Sequence, residues 1–385
     1  MTSLDDVADA RNTAWSGAGL SRSLREFTGP QVPVARIDGR RLLLFSSSNY
    51  LGLATHPGVT GAARAALGVY GAGSGGSRLT TGTTDLHTRL ERRLAEFFGG
   101  DGHDDAVFFA TGYQANVAVL QTVAGPDVTV YSDSLNHASI IDGCRLARAT
   151  VRVFPHGDLA ALDRLLGECA TPHALVVSDG VFSMDGDLAD LPGLVTVAGR
   201  HGAWTMVDDA HGVGTLGETG RGSAGYHGVR PDILVGTASK ALGGEGGFVV
   251  CSPAVGTLLR NQARGFVYST APSAPTVAAV AAAVDVLDRS PELVSRLHAN
   301  VRECTGRLGV RAHVSPIIPV PVGDEGRAMA LSRDLRERGF FVPAIRWPTV
   351  ARGAAILRVT VTAEHTPEQI RALTGALREL TTRHG

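Results

Sequence analysis

Lysine is almost absent from this sequence of 385 residues. The 36 basic side chains are 35 arginines and one lysine, Lys240. Arginine can replace lysine on a solvated surface or in an ion pair, but it cannot act as a neutral amine nucleophile. A single lysine therefore indicates a site that requires an amine. From the count alone, chance survival of one lysine in an arginine-biased composition is an equally good explanation.

Cysteine is scarce, and neither sign of charge is in excess. The four cysteines, Cys144, Cys169, Cys251 and Cys304, are far apart and form no Cys-x-x-Cys pair. This spacing argues against a zinc or disulfide framework and predicts reduced packing residues in a cytoplasmic enzyme. With 36 basic and 37 acidic residues the net charge is −1, and no segment concentrates positive charge. We therefore expect no nucleic-acid partner.

Long hydrophobic runs are missing. The most apolar later run, residues 277–284, is too short to cross a bilayer, so it predicts a buried helix. The first residues include Asp5, Asp6 and Asp9 and no apolar core, so they do not resemble a signal peptide. We expect a cytoplasmic protein that does not associate with membranes.

Short apolar segments are abundant. Hydrophobic residues make up 44% of the chain, which is sufficient for a large core. Runs that predict strands alternate with helical patterns, which indicates an α/β fold with a mainly parallel sheet. The predicted strands are residues 106–110, 128–132, 151–154, 174–178, 204–207, 233–236 and 247–251. The predicted crossover helices are residues 86–98, 116–123, 159–169 and 188–201.

The pattern changes after about residue 285. One long helical stretch is predicted, with Leu287, Leu293, Leu297 and Val301 on its apolar face. It is followed by a strand at 317–322, a helix at 328–338, a strand at 356–362 and a helix at 367–380. We therefore expect an N-terminal segment (1–45), a large domain (46–285) and a smaller α+β C-terminal domain (286–385).

Lys240 lies in a context that favours function. Residues 231–237 read as a short buried strand, and residues 238–247 follow as a loop with too many glycines for a helix. A lysine at the end of a buried strand is poorly placed for a role on the surface.

A second strand end carries Asp208 and His211 in the segment 208–212 (Asp-Asp-Ala-His-Gly). Ligands of open α/β sheets bind at such carboxyl ends. A buried aspartate there can hold a pyridinium nitrogen protonated and maintain a cofactor as an electron sink, while the histidine donates to the ring oxygen. A helix N-cap aspartate with a packed histidine is the alternative. The motif holds too few ligands for a metal, and we expect none.

Two further segments follow predicted strands and suit the same kind of pocket. Residues 111–113 (Thr-Gly-Tyr) open a helix, which provides free N–H groups for a phosphate. In residues 133–139, His137 has the flat shape needed to stack on a ring.

Residues 71–76 match Gly-x-Gly-x-x-Gly formally, but a helical run at 59–67 precedes them instead of a strand, so we reject a nicotinamide site.

Together these motifs resemble the α-oxoamine synthase family of pyridoxal phosphate enzymes, of fold type I. The likeness covers nearly the whole chain and makes residues 46–285 the domain that binds the cofactor. The segments that carry it are 48–53 (Ser-Asn-Tyr-Leu-Gly-Leu), 73–78 (Gly-Ser-Gly-Gly-Ser-Arg), 136–139 (Asn-His-Ala-Ser), 179–186 (Asp-Gly-Val-Phe-Ser-Met-Asp-Gly), 208–211, 239–240 and 344–350 (Ala-Ile-Arg-Trp-Pro-Thr-Val).

The resemblance implies a role for each matching residue. Lys240 would link covalently to the cofactor and act as the catalytic base, with Asp208 on the pyridine nitrogen and His211 on the ring oxygen. His137 would stack above the ring and polarise an oxygen of the acyl substrate. The other residues that would hold the cofactor are Gly112, Tyr113, Ser183 and Thr237. The substrate residues would be Arg346 for the amino acid carboxylate, Thr349 and Ser48 beside the substrates, and Arg22 for the acyl substrate's distal carboxylate or CoA.

The implied activity is a decarboxylative condensation of an amino acid with an acyl thioester. The most similar members join L-alanine to pimeloyl-CoA or a pimeloyl carrier protein in biotin biosynthesis. Members of the family are homodimers, so residues 71–82 would serve the neighbouring subunit. Ser48 and Trp347 depart from the usual asparagine and proline. They leave open a sister synthase that uses glycine or serine with another acyl thioester, such as a glycine C-acetyltransferase or a condensing enzyme of secondary metabolism. A fold relative that binds the cofactor without turnover is the remaining alternative.

Overall fold

The structure is a computed structural model that describes residues 2–100, 103–311 and 314–384. Its first elements are α1 (Leu4–Gly17), β1 (Val34–Ile37), β2 (Arg40–Leu44), α2 (Pro57–Tyr70), α3 (Asp85–Phe98), β3 (Asp105–Phe109), α4 (Gly112–Val123), β4 (Val128–Asp133), α5 (Ala138–Ala147), β5 (Thr150–Phe154), α6 (Leu159–Gly167), β6 (His173–Asp179), α7 (Leu191–Arg200) and β7 (Trp204–Asp208). The later elements are α8 (Gly222–His227), β8 (Ile233–Thr237), β9 (Gly247–Cys251), α9 (Pro253–Gln262), α10 (Arg264–Val267), α11 (Ala274–Arg289), α12 (Glu292–Leu308), β10 (Ile317–Gly323), α13 (Glu325–Glu337), β11 (Phe340–Phe341), β12 (Ala344–Ile345), β13 (Ala355–Thr360) and α14 (Pro367–His384).

A seven-stranded sheet forms the centre of the large domain. Its strand order is β3-β9-β8-β7-β6-β4-β5, and only β9 runs against the other six. All seven strands agree with the sequence prediction. The mainly parallel sheet is confirmed, because helical crossovers return the chain to the same edge between β4 and β8.

Both faces of this sheet are buried under helices. Leu234 and Val250 point to one face, where they share a cluster with residues of α3 and α11. Their neighbours Val235 and Val249 point to the other face and pack with residues of α4, α5 and α9. Burial on both sides explains why these strands are continuous apolar runs instead of alternating ones.

The C-terminal part has its own antiparallel sheet, in the order β10-β13-β12, and a separate core. The N-terminal strands belong beside it, because β2 pairs in parallel with β11 through Leu43 and Phe340. Phe45 is buried in the same cluster as residues of α12, α13 and α14. The residue boundaries at 45 and 285 stay predictions, and the second of them falls inside α11.

One sequence prediction in this region is wrong. The long helical stretch is two helices, because α11 ends at Arg289 and α12 begins at Glu292 with Pro291 as its N-cap residue. Proline lacks an N–H group and clashes with the preceding helical turn, so the chain cannot continue as one helix there. The apolar spacing of the two helices happens to remain in phase across the break.

The predicted buried helix at 277–284 lies inside α11, where Val277, Val280 and Val284 are buried. Within the described residues, no helix is both long and apolar enough to span a membrane. Cys144, Cys251 and Cys304 are free, buried thiols, and Cys169 is half-buried.

Candidate active site

The site lies at the carboxyl edge of the large sheet. Asp133, Asp179, Asp208 and Thr237 are each the last residue of their strand, and the last three line a cavity of about 240 Å³. The cavity brings together all eight residues that the resemblance assigns to the cofactor. These are Gly112, Tyr113, His137, Ser183, Asp208, His211, Thr237 and Lys240.

Asp208 is a buried carboxylate with neutral partners. Its Oδ1 accepts from the backbone N–H of Ala210 over 3.0 Å, and its Oδ2 accepts from Asn116 Nδ2 over 2.6 Å. No ion pair with an arginine or lysine forms at Asp208 in the described part of the chain. A buried carboxylate whose hydrogen-bond partners are all neutral suits a ligand that brings a protonated ring nitrogen.

Asn116 was missed by the sequence reasoning. It lies on the buried side of α4, and its Nδ2 also contacts Ser139 Oγ at 2.9 Å. Ser139 Oγ is in turn 2.6 Å from His137 Nδ1, so hydrogen bonds connect Asp208 to His137. An amide in an otherwise apolar helical face was the available signal. Its Oδ1 is buried without a protein partner, which leaves an acceptor beside the cavity.

His211 is held as a neutral ring. Burial lowers its pKa well below the ordinary value, and the charges of Lys240 and Arg358 lower it further. Burial also raises the pKa of Tyr50, so this phenol stays protonated, and its hydroxyl lies 2.7 Å from His211 Nδ1. When the phenol donates to Nδ1, the one ring proton is on Nε2, from which it can be donated to a ligand oxygen.

Lys240 follows β8 after two residues and is half-buried in the cavity. Burial lowers the pKa of its amine, while the carboxylates of Asp208 and Asp179 partly oppose this effect. In the glycine-rich loop that follows, Gly243 is required for a steric reason. That residue has φ +62°, and a Cβ there would lie 2.2 Å from the backbone nitrogen of Ala54.

The first turn of α4 forms an anion site. Thr111 caps the helix by accepting from the Gln114 N–H over 3.0 Å, which leaves the N–H groups of Gly112 and Tyr113 without helical acceptors. A Cβ on Gly112 would lie 3.3 Å from Thr237 Oγ1, so glycine keeps this approach open. Such an N-terminus suits a phosphate. With the aspartate, amine and flat histidine, the donor set fits pyridoxal phosphate.

Asp179 also lines the cavity, and from the sequence it was named only as the first residue of the 179–186 segment. Burial and the nearby Asp208 raise its pKa well above the ordinary value. Its Oδ1 accepts from the His137 N–H over 3.3 Å, and its own N–H donates to Asn136 Oδ1 over 2.9 Å. Asp179 therefore fixes the backbone that presents His137.

The predicted substrate residues lie elsewhere. Arg22, Arg346 and Thr349 line a second cavity of about 550 Å³, between the N-terminal segment and the C-terminal part. Ser48 lines neither cavity; it is half-buried, two residues before Tyr50. The structure thus brings Arg22 to Arg346 but does not bring either to Lys240, and the substrate roles stay predictions.

Arg358, on β13, is a buried arginine that the sequence reasoning overlooked. Its Nε donates to the backbone oxygen of Ser183 over 2.7 Å, and its charge lowers the pKa of Lys240. No carboxylate pairs with it among the described residues. The side chain therefore places a positive charge beside the cavity.

The sheet, the strand-end aspartate and the lysine loop define a fold type I pyridoxal phosphate enzyme fold. The chain belongs to the aminotransferase class I and II family, whose model matches residues 40–377.

Relatives and a solved structure extend this result. The chain is 47% identical to a biotin biosynthesis bifunctional protein BioWF from Corynebacterium kroppenstedtii, over 98% of this chain and 59% of that protein. It thus spans less than two thirds of the bifunctional relatives it matches. It is 42% identical to an 8-amino-7-oxononanoate synthase from Bordetella petrii, over 99% of this chain and 98% of the relative. A serine palmitoyltransferase from S. paucimobilis, solved with a pyridoxal phosphate–myriocin adduct, superposes with a TM-score of 0.91 at 33% identity, over 99% of this chain and 98% of that chain.

Proposed function

We propose that this protein is an 8-amino-7-oxononanoate synthase. The reaction joins L-alanine to pimeloyl-CoA or a pimeloyl carrier protein, and releases carbon dioxide and the free thiol of CoA or of the carrier. The observation that carries the proposal is the single cavity in which Lys240 meets Asp208, His211 and His137. The 42% identity with a synthase of this name over nearly the full length of both chains supports the choice of substrates.

Pyridoxal phosphate, when bound, supplies an electron sink for negative charge on the carbon next to an amino group. Asp208 would accept a hydrogen bond from the pyridine nitrogen and keep it protonated. His211 would donate from Nε2 to the phenolic oxygen, and the first turn of α4 would hold the phosphate. His137 would cover the ring face.

Lys240 would take the proton from the amino acid Cα. Because burial lowers the pKa of its amine, more of it is neutral near pH 7 than for an exposed lysine. The resemblance assigns the amino acid carboxylate to Arg346, but Arg346 lines the second cavity, so for this role we propose Arg358, whose charge acts on Lys240. Thr349 and Ser48 would lie beside the substrates and Arg22 near the acyl substrate. His137 would stabilise charge that develops on the acyl oxygen. We further propose a cytoplasmic homodimer in which residues 71–82 complete the neighbouring site.

A serine-using sister synthase is the second candidate. It is favoured by the close superposition on a serine palmitoyltransferase over almost the whole chain. The pockets of such enzymes differ by small groups worth only ~1–3 kcal/mol, so shared architecture does not select the amino acid. The higher identity to the Bordetella petrii protein favours L-alanine.

Product analysis separates the two candidates. The purified protein, supplied with pyridoxal phosphate, is incubated with L-alanine, glycine or L-serine, each with pimeloyl-CoA or palmitoyl-CoA, and products are identified by mass spectrometry. We expect 8-amino-7-oxononanoate from L-alanine and pimeloyl-CoA, and no product from Lys240→Arg. Turnover of L-serine with palmitoyl-CoA, in place of that pair, would support the second candidate and overturn the first.

A further inference from the structure

His156 lies between two carboxylates at the edge of the sheet, outside the cavity. Its Nδ1 is 3.1 Å from Asp133 Oδ1, and its Nε2 is 2.8 Å from Asp187 Oδ2. The ring packs edge-on against Phe182, with centroids 4.3 Å apart at 81°. Neither the motifs nor the proposed chemistry uses this histidine.

Both ring nitrogens of His156 face carboxylate oxygens, so both must carry protons for both contacts to be hydrogen bonds. Partial burial lowers the pKa of His156, but the hydrogen bonds to Asp187 and Asp133 outweigh it and raise the pKa above its ordinary value. Asp133 and Asp187 are the charged groups that face the ring from the elements packed against it. In its doubly protonated form the ring therefore bridges the carboxylates of Asp133 and Asp187.

The first carboxylate belongs to the segment that presents His137. Asp133 Oδ1 accepts from the Leu135 N–H over 2.8 Å, two residues before His137. Asp133 Oδ2 accepts from the Gly157 N–H over 3.0 Å, which fixes the loop after β5 to the end of β4. One end of the bridge is therefore anchored in the rigid sheet.

The second carboxylate belongs to the loop that presents Ser183. Asp187 accepts at its backbone oxygen from the Phe182 N–H over 3.0 Å, which closes a turn around Ser183. The backbone oxygen of Ser183 accepts a hydrogen bond from Arg358 Nε over 2.7 Å. At Gly186, with φ +69°, an added Cβ would lie 2.2 Å from the oxygen of Ile317 on β10. This loop therefore links the cavity to the C-terminal part.

We propose that His156 is a positioning residue, an imidazolium bridge that holds the 181–187 loop against the end of β4 and thereby fixes Ser183 and Arg358 at the cavity. The bridge itself rests on contacts within this chain, and only its consequence for catalysis rests on the proposed function. Gly186 holds the loop against β10, Asp187 holds it to the His156 ring, and Phe182 packs on the same ring, so the loop has little freedom to open. Breaking the bridge should therefore loosen the cavity wall without removing any group that touches the ligand.

The test uses His156→Asn, Asp187→Asn and the double variant. The asparagine at 156 can still reach Asp133 but is too short for Asp187, and Asp187→Asn keeps the size of the side chain while removing its charge. His201→Asn is the matched control, because His201 Nε2 contacts Asp163 over 2.8 Å in a comparable pair, and His201 precedes the amino end of β7, at the edge of the sheet opposite the cavity. Circular dichroism and thermal unfolding establish that each variant is folded.

Hydrogen exchange in the cofactor-free protein measures the loop directly. We expect amides of residues 181–187 to exchange faster in both single variants than in the wild type and in the control. The two changes break the same bridge, so the double variant should be no faster than the singles. Unchanged exchange in folded His156→Asn and Asp187→Asn, or effects of the two that simply add, would overturn the bridge.

Cofactor titration measures the consequence at the site. We expect the pyridoxal phosphate dissociation constant to rise about 10-fold in each single variant, the effect of losing a hydrogen bond to a charged group. In the wild type, affinity should fall as pH rises through the titration of His156, observed by NMR of its ring, and Asp187→Asn should lack this fall. Wild-type affinity in both variants would overturn the effect on the site. If the wild type forms no 8-amino-7-oxononanoate while the variants show the expected changes in exchange and cofactor affinity, the proposed function is rejected and the bridge stands.

Discussion

Asn116 donates through Nδ2 to Asp208 Oδ2 over 2.6 Å, and both side chains are buried. The two residues are 92 positions apart, on α4 and at the end of β7. A neutral amide orients the carboxylate without neutralising it, whereas an arginine at this position would form an ion pair. The charge of Asp208 is thereby left available for a cationic ligand.

Asn116→Ala tests this relationship. The variant loses a hydrogen bond to a charged group, worth roughly 1.5–3 kcal/mol, so we expect the rate of condensation to fall at least about 10-fold. The cofactor absorbance spectrum should also shift, because the ring nitrogen is held less firmly. Asn261→Ala is the control, since Asn261 is exposed and donates to Thr257 O within its own helix. Equal rates in the two variants would contradict the role of Asn116.

The sequence predicts the sheet and the cofactor residues for a physical reason. Strands buried on both faces are apolar throughout, and their polar last residues, such as Asp208, stand out against that background. Lys240 stands out because it is the only lysine. These signals are local in sequence, so they can be recognised without knowledge of the packing.

The roles of Tyr50 and Arg358 could not be recognised in this way. Tyr50 meets His211 across 161 positions, and Arg358 meets Ser183 across 175. Each is an ordinary residue in an ordinary strand, helix or loop, and only the packing of distant segments gives it a role. The break between α11 and α12 was missed because the apolar spacing continues in phase on both sides of Pro291.

Arg358 and Arg346 can be compared as carboxylate ligands. Arg358 is buried, has no carboxylate partner among the described residues and lowers the pKa of Lys240, whereas Arg346 lines the second cavity. Lysine keeps the charge but cannot make the two parallel hydrogen bonds of a guanidinium. We expect Arg358→Lys to raise KM for L-alanine about 10-fold with a smaller change in kcat. A raised KM in Arg346→Lys alone would favour the assignment made from the resemblance and contradict ours.

Asp209 gives a pH dependence of stability. Burial raises its pKa to about 7, against an ordinary value of 3.8, and Asp208 adds to the effect while hydrogen bonds from Ser223 oppose it. The folded state therefore binds this proton more tightly than the unfolded state. Its contribution to the free energy of unfolding is full below the unfolded pKa and is lost as pH rises through the folded pKa.

Asp209→Asn removes this titration while keeping the shape of the side chain. We expect the melting temperature of the cofactor-free wild type to fall relative to that of the variant between about pH 4 and pH 7. Thermal unfolding followed by circular dichroism measures both profiles. Asp163→Asn is the control, because hydrogen bonding to His201 lowers the pKa of Asp163 and keeps it ionised over this range. Parallel profiles for Asp209→Asn and the wild type would contradict the assignment.

Gly222 and Gly228 provide a test of how tightly Asp209 is enclosed. Both glycines have positive φ, at +82° and +64°, so alanine at either position carries the same kind of backbone cost, ~1–2 kcal/mol. A Cβ at 222 would lie 2.0 Å from Asp209 Oδ2, whereas a Cβ at 228 meets nothing within 4 Å. In Gly222→Ala the buried carboxylate must therefore move, which adds a further ~1–3 kcal/mol of overpacking. Urea unfolding should show Gly222→Ala to be the less stable variant by that margin. Equal losses for the two variants would mean that Asp209 moves freely and that its surroundings are looser than the structure shows.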